Sequence, residues 1–503
     1  MLDFTALFAV AISSIDALIV VAYVLAAASL GVVLGRGQKD NRDFFLADHR
    51  LPTWALLLSI VATETSTVTF LSIPGLSYTK DGNFAFLQVA LGYVVGRLAI
   101  VIFLLPSYFR GEMLTAYEVL EQRYGVATRR LASLVFLVMR NVADGLRLLL
   151  AAMVLNKAFG LDYLSCVLAI SAATAIYSCC GGVRSVVWND CLQFGVYMLG
   201  AVAVCIALFS RIPGGWDELV QFGNSTGRWR LFDFAPSLTR VTFWSGLFGG
   251  AFLTLATHGA DHMMVQRYLC ARSQSSASRA LALSGLVVFL QFAFFLFLGV
   301  QLAWFFTHHV PPTPINTSDQ ALVTFVVHYT STGLRGLVLA AVFSASMSSS
   351  LNSVTSSLMN DWFSKRLEET SDAKSLILAR TLTIIFAVVQ AAVALVAYKM
   401  ELTSATIDQV LGIASFSMGL ILGLYFLGIT APRTSQPIAF AAFLAGTIVT
   451  CCVAFGTQPF FGWKVHWLWY ALVGSGTIVI VGLTLTTLFV GKPQMASSVP
   501  SEL

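Results

Sequence analysis

The chain has 503 residues, 57% of them hydrophobic and 11% charged, with a mean hydropathy of +0.79. Soluble domains carry roughly 25% charged residues, so the composition excludes a soluble domain and describes an all-α polytopic membrane protein. The net charge of +5 is small, and Lys and Arg fall mostly between apolar runs, which speaks to membrane topology and not to nucleic-acid binding.

In chain order, the first apolar run, Ala17 to Leu34, is long enough to span, has no basic region before it and no convincing cleavage site. It reads as a retained helix and not as a signal peptide. Runs of spanning length then recur at 53–75, 83–105, 131–157, 163–180, 184–210, 242–266, 277–306, 335–361, 375–400, 405–428, 436–456 and 467–490. Together with the first run at 17–35 this makes about 13 crossings at roughly 20 residues each. The connections 36–52, 106–130, 267–276 and 362–374 are rich in Lys and Arg, and those between them are mostly poor. The positive-inside rule places the basic group in the cytoplasm of a plasma (cell inner) membrane, with the N-terminus outside and the C-terminus inside. The loop 211–241, with Arg211, Arg228, Arg230 and Arg240, argues the other way and is outvoted. The eight cysteines lie mostly in apolar runs without CxxC spacing, as small buried hydrophobes.

The segment 58–78, LSIVATETSTVTFLSIPGLSY, reads as an interrupted membrane helix, with Thr63, Glu64, Thr65, Ser66, Thr67 and Thr69 at bilayer depth and then the breaker pair Pro74-Gly75. Polar, irregular backbone is tolerated at that depth only inside protein or a water-filled cavity. Ala62, Thr65, Ser66 and Thr69 recur at helical spacing and are expected on one face, offering hydroxyls and freed carbonyls to a hard cation. A helix interface glued by Ser and Thr reads the same way. The run 242–266, with Gly246, Gly249, Gly250, Thr254, Thr257, His258 and Gly259, is a second interrupted helix. Two such helices opening two sets of five suggest an inverted-repeat transporter core at 53–430, flanked by a peripheral helix and loop at 1–52 and by two helices and a tail at 431–503.

On the expected helix 335–361, Ala345, Ser348 and Ser349 stand at i, i+3 and i+4, so a carbonyl and two hydroxyls can face one point. Close packing of small residues is the alternative. Charges at membrane depth are few. Asp190 supports either a cation or a helix N-terminus behind Gly181-Gly182. Arg147 either pairs with Asp144 at i, i+3 or clamps a substrate carboxylate, and Arg140 lies one turn N-terminal to Asp144. Glu64 could pair with an arginine, bind a substrate hydroxyl or amine, or carry a proton. His258 and Asp261-His262 suggest a gate or helix cap before a metal site. Phosphate-binding fingerprints and nucleophile–base pairs are absent, so the chain does not read as an enzyme.

ATETSTVTFLSIPGLSY, YFRGEMLTAYEVLEQRYG (108–125), YSCCGGVRSVVWNDCLQFGVYMLG (177–200), VQRYL (265–269), SSSLNS (348–353) and ASFSMGLILGLYFLG (414–428) resemble the sodium:solute symporter family in the expected order. The resemblance implies a LeuT-like core of five plus five helices, with one helix before it and two after. It also implies import of a small organic solute driven by sodium. Carried over by position, it puts sodium at Ala62 and Thr65 against Val342, Ala345 and Ser346, with Ser348 and Ser349 at the second sodium position of some members and Asp190 in support. Ala345 departs from the family's hydroxyl there. The sialic-acid branch implies a substrate site of Ser66, Thr69, Phe84, Gln88 and Arg147, hence a carboxylated solute such as a sialic acid or monocarboxylate. A neutral sugar or polyol is the second choice. A proton-coupled facilitator would titrate Glu64 or Asp190, with Asp261 a further gate or proton candidate. Beyond sodium, solute and lipid, the sequence implies no nucleic acid and no obligate protein partner. Ser349→Ala is expected to weaken sodium dependence of uptake with expression intact; unchanged sodium affinity would remove Ser349 from the site.

Overall fold

The computed structural model describes residues 13–36, 38, 40–65, 67–111, 113–312, 314–346, 350–400, 404–457, 460 and 462–489. Among these the regular structure is all helical, with a lone parallel bridge between Leu51 and Ala271. That is what an apolar chain requires, because hydrocarbon offers no partner for an open backbone N–H or C=O.

The elements in order are α1 (Ser14–Leu34), α2 (Asn41–Leu46), the broken pair α3 (Thr53–Glu64) and α4 (Thr67–Tyr78), α5 (Leu87–Tyr108), α6 (Glu118–Tyr124), α7 (Val126–Phe159), α8 (Tyr163–Phe209) and α9 (Gly215–Ser225). They continue with α10 (Gly250–Thr254), set between π turns at Ser245–Gly249 and Leu255–Ala260, then α11 (His262–Leu269), α12 (Gln274–His308), α13 (Gln320–Tyr329), α14 (Leu334–Ser346) and α15 (Leu351–Glu368). The last four are α16 (Asp372–Lys399), α17 (Ser404–Thr430), α18 (Gln436–Cys451) and α19 (Tyr470–Phe489). Seven of the described helices are long and apolar enough to cross a membrane alone, and the bent pair α3–α4 makes an eighth span if taken as one. Other expected crossings are cut by π turns, as around α10, or carry charge, as α7 does with Arg140, Asp144 and Arg147. The protein is a multi-pass, all-helical membrane protein.

Two boundaries differ from the sequence expectation. The first concerns the broken helix, which bends by 63° between α3 and α4 at Thr65, where ψ is 88°, and not at Pro74-Gly75. Pro74 lies inside α4; it removes a single N–H, and the turn is held from outside by Ser77 Oγ, which donates to the Leu296 carbonyl of α12 at 2.6 Å. Ala62, at the end of α3, and Thr69, in α4, therefore sit on differently directed helices and do not share the single helix face expected of them; Ser66 lies outside the described residues. Second, the runs 163–180 and 184–210 are joined in α8 through one residue, Gly182, at φ 54°, ψ −155°. A Cβ there would also stand 2.4 Å from the Phe44 carbonyl oxygen. The run 335–361 contains α14 and α15, and residues 347–349 lie outside the described residues.

Packing brings the break to the centre of the molecule. Val61 and Ala62 share one apolar cluster with Ala341 and Val342 of α14 and Tyr197 of α8. Ser13 caps α1 with Asp16, whose Oδ1 accepts the Gly333 and Gly336 N–H groups at 2.8 Å each, fastening α1 to the start of α14. Gly182→Ala, which forces a side chain into a backbone region reserved for glycine, is expected to destabilise the fold by ~1–3 kcal/mol, read as a lower thermal midpoint in detergent. Gly195→Ala on the same helix, where an added Cβ meets nothing within 4 Å, should be neutral or stabilising.

Candidate transport site

The site is built where α3 stops. Ending the helix at Glu64 leaves the carbonyls of its last turn, Ala62 among them, pointing past the helix end. Thr65 is buried; its Oγ1 donates to the Val61 carbonyl at 3.0 Å and accepts from Gln291 Nε2 of α12 at 3.1 Å. The Tyr197 hydroxyl lies against the same threonine, so Thr65 belongs to a buried polar group with Gln291 and Tyr197. Val342, in the same apolar cluster as Ala62, is 6% exposed. Ala345 and Ser346 close α14, although nothing is described of their side chains. Ser66, Ser348 and Ser349 lie outside the described residues.

Glu64, left open in the sequence, is ion-paired. Arg97 Nη2 of α5 donates to Glu64 Oε2 and, at 3.2 Å, to His258 Nε2. An imidazole that accepts on Nε2 holds its proton on Nδ1, which lies 3.0 Å from Thr257 Oγ1. Thr257 passes the chain on to the Leu253 carbonyl at 3.0 Å. His258 thus serves the pair from the second interrupted segment, and the two interrupted segments meet at one carboxylate.

Asp190 makes the second buried pair. Its Oδ2 accepts from Arg267 Nη2 at 2.8 Å, Ser59 Oγ at 2.5 Å and Thr63 Oγ1 at 3.3 Å, while Arg267 Nε donates to Ser59 Oγ at 2.8 Å. Two corrections follow. Arg267, counted above among the basic residues of a cytoplasmic connection, is 1% exposed and bound to Asp190. Asp190 is not in the first turn after Gly182 but two turns on, so its charge is balanced by Arg267 and not by a helix end.

The third cluster centres on Asp144. Its Oδ1 accepts from Arg147 Nη1 at 2.9 Å and its Oδ2 from Arg140 Nε at 2.9 Å and from Ser350 Oγ. Arg140 reaches on to Asp261 Oδ2 at 3.6 Å, and Asp261 caps α11 by accepting the Met263 N–H at 2.8 Å, the helix-cap role expected of it. The side chains of Asp144, Arg140 and Arg147 are 1%, 13% and 37% exposed, so Arg147 is the least enclosed of the three.

Phe84 and Gln88 turn toward the loop between α9 and α10. The Phe84 ring packs on Trp229 with centroids 5.4 Å apart, and Gln88, fully buried, accepts the Asp233 N–H at 3.0 Å and donates to the Ala85 carbonyl at 2.9 Å. Asp233 is held in turn by the Ala235 N–H at 3.1 Å and by Arg240, which keep its carboxyl below the usual range. Arg228 from the same loop donates to the carbonyls of Ser77 and, at 2.7 Å, Thr79, closing the end of α4. Thr69 is half-buried in α4. Gln88 and Phe84 are thus joined to the loop between α9 and α10, while Arg147 is joined to Asp144.

Sequence reasoning missed Arg97, Arg267, Ser350, Gln291 and Gln390. For the first two, half the signal was present: a carboxylate at membrane depth requires a cation, but the sequence does not say which of its arginines supplies it.

The model of the sodium:solute symporter family matches residues 44–446. The chain belongs to that family. Among relatives of this symporter, the sodium/sialic acid symporter NanT of Aliivibrio fischeri is 28% identical over 477 residues, 93% of this chain and 92% of that one. The sodium/sialic acid symporter SiaT of Proteus mirabilis is 27% identical over 488 residues, 94% and 95% of the two chains. A solved structure described as the substrate-bound outward-open state of a Na+-coupled sialic acid symporter superposes with a TM-score of 0.85 at 25% identity, over 96% of this chain and 99% of that one. The protein is thus a sodium-coupled symporter of a small organic solute, with sodium as its coupling ion, and not an enzyme.

Removing one member of a buried pair leaves an uncompensated charge, at a cost of ~3–5 kcal/mol. Arg97→Met and Glu64→Gln are each expected to lower the thermal midpoint strongly, and the double variant to lower it less than Arg97→Met alone. Additive losses would show that the pair is not coupled.

Proposed function

We propose that this symporter imports a carboxylated solute of the sialic-acid type, and that Arg147 receives its carboxylate. The observation that carries the reading is the exposure of Arg147: it is held by one nitrogen to Asp144 while more than a third of its side chain is open. A guanidinium in that position presents a planar fork matched to a carboxylate. The names of the two sialic acid symporters that align along nearly the whole chain support the same class. Ser66, Thr69, Phe84 and Gln88 would complete the site, with Gln88 freed from the Asp233 N–H when the solute enters.

Sodium would sit between the carbonyl of Ala62, the hydroxyl of Thr65 and the end of α14 at Val342, Ala345 and Ser346. Unwound carbonyls and a neutral hydroxyl suit an ion that must be released after each cycle. Ser348, Ser349 and Asp190 would form a second ion site. Because Asp190 is engaged by Arg267, an ion arriving there takes over part of that arginine's role. Sodium held between α3 and α14 favours the outward-facing state and raises solute affinity by linkage; its loss inward lets the two separate.

The reading includes a LeuT-like core of five plus five helices at 53–430 within about 13 crossings, with 1–52 and 431–503 peripheral. It places the protein in the plasma (cell inner) membrane, N-terminus outside and C-terminus in the cytoplasm. The arginines of 211–241, which opposed that orientation, serve local contacts: Arg228 caps α4, Arg230 and Arg240 face Asp233, and Arg211 donates to the Tyr329 carbonyl.

The test is the thermal midpoint of purified protein in sodium chloride against choline chloride at equal ionic strength, with and without sialic acid. A rise with sodium that saturates, and a further rise with sialic acid only in sodium, is expected. Arg147→Lys should keep the first rise and lose most of the second. A sialic acid response equal to that of the wild type in Arg147→Lys would refute the carboxylate assignment.

A further inference from the structure

We propose that α1 is a working part of the symporter: it braces α14 from behind, and Tyr23 is the positioning residue that sets where the end of α14 stands. The inference rests on the reading that sodium sits between α3 and α14. In that reading α1 lies outside the core of five plus five helices, so no ligand of the ion comes from it.

The buried residues of α1 are Asp16, Val20, Tyr23, Ala27 and Gly31, which recur at helical spacing and form a single stripe. In a membrane helix the apolar members of such a stripe fill space, whereas the polar ones fix position, because lipid offers them no competing partner. Both polar members reach α14. Asp16 accepts the Gly333 and Gly336 N–H groups at its start. Tyr23 lies as far beyond Asp16 as Phe343 lies beyond Gly336, and its ring meets Phe343 edge to face with centroids 6.4 Å apart. The two helices therefore run side by side, in the same direction and in register. The Tyr23 hydroxyl reaches the side chains of Ser344 in α14 and Gln193 in α8. Ser344 Oγ donates to the Ala341 carbonyl at 2.9 Å, so toward Tyr23 it accepts and the tyrosine donates. One turn on, the Ala27 carbonyl accepts from Asn189 Nδ2 at 3.3 Å, and at Gly31 a Cβ would stand 2.4 Å from Tyr177 Cα. The far half of α1 thus rests on α8 on both sides of Gly182.

These contacts leave α14 between two different neighbours. Leu339, Ala340 and Phe343 share an apolar cluster with Val20, Tyr23 and Ala27 of α1, whereas Val338, Ala341 and Val342 share another with Val61 and Ala62 of α3. At about 3.6 residues per turn the two sets fall on opposite sides of α14. The side toward α3 is the one that an ion between the two helices joins and releases, so it does not hold α14 in place through the whole cycle. The side toward α1 does. With α14 fixed on α1 and α8, the Val342 carbonyl is set before the ion arrives, and less of the ion's binding free energy goes into ordering its ligands.

The experiment is a sodium titration of the thermal midpoint of purified, full-length protein without solute, with choline chloride keeping the ionic strength constant. Tyr23→Phe keeps the ring on Phe343 and removes only the hydroxyl. It is expected to raise the half-saturating sodium concentration about threefold or more, the scale of one hydrogen bond, and to leave the midpoint in choline near that of the wild type. Ser344→Ala removes the other partner, is expected to do the same, and decides the matter if Tyr23→Phe does not fold. Tyr163→Phe is the control: Tyr163 belongs to the same cluster, but its hydroxyl donates to the Ala394 carbonyl of α16 at 3.5 Å, and its loss should leave sodium affinity unchanged. A merely structural role for Tyr23 would lower the midpoint in choline and leave half-saturation unchanged; that result, or an equal rise in Tyr163→Phe, overturns the proposal. Thr65→Val in the same titration separates the brace from the ion site it serves. If Thr65→Val weakens sodium binding while the Tyr23 and Ser344 variants bind as the wild type does, the brace alone falls; if Thr65→Val itself binds sodium as the wild type does, the assignment of the ion site falls and the brace with it.

Discussion

A charge placed where hydrocarbon surrounds the protein needs an opposite charge in contact with it, and this requirement organises the interior. Glu64 on α3 recruits Arg97 from α5 and His258 from the second interrupted segment. Asp190 on α8 recruits Arg267 from α11 and, through Ser59, returns to α3. Asp144 on α7 gathers Arg140, Arg147 and the start of α15. Each pair joins segments that apolar packing alone would leave free to slide, because lipid-exposed and protein-exposed Leu or Val are nearly equivalent there.

Buried pairs of this kind add little net stability, since desolvation offsets most of the attraction. What they supply is discreteness. A helix held by a guanidinium either has its partner or lacks it, with few intermediate positions, and an alternating-access cycle needs such two-valued joints. The break at Thr65 adds the other ingredient, a place where backbone carbonyls are released without exposure to lipid. In the site proposed here, neutral oxygens around the break would hold the ion, with the charged groups one layer further out. That layering separates binding strength from conformational bias.

Much of this was legible in the sequence, and the limits have physical causes. The density of hydroxyls around Thr65 and the glycine-rich run near His258 marked both interrupted segments, because polar atoms at bilayer depth have few explanations. The position of the first break was misread: Pro74 is the strongest breaker by propensity, yet tertiary contacts to α12 carry the helix through it, and the chain bends instead at a threonine. Gly182 was noted only as lying upstream of a helix, while its left-handed φ is what lets α8 continue. Pairing partners were out of reach for the same reason in each case. Asp190 and Arg267 are far apart in the chain, and helical periodicity carries no information on contacts between distant segments. The local pair, Asp144 with Arg147 at i, i+3, was the one the sequence could offer.

The loop between α9 and α10 ties together parts that belong to different spans. Arg228 grips the last carbonyls of α4, the Arg230 carbonyl accepts the Phe84 N–H at 3.1 Å, and Asp233 donates its N–H to Gln88. These contacts splice the second half of the broken helix, the loop and the first turn of α5 into one block beyond the bend at Thr65. A binder raised against that loop would grip this block as a whole, and so bear on both Phe84 and the end of α4 without contacting either directly.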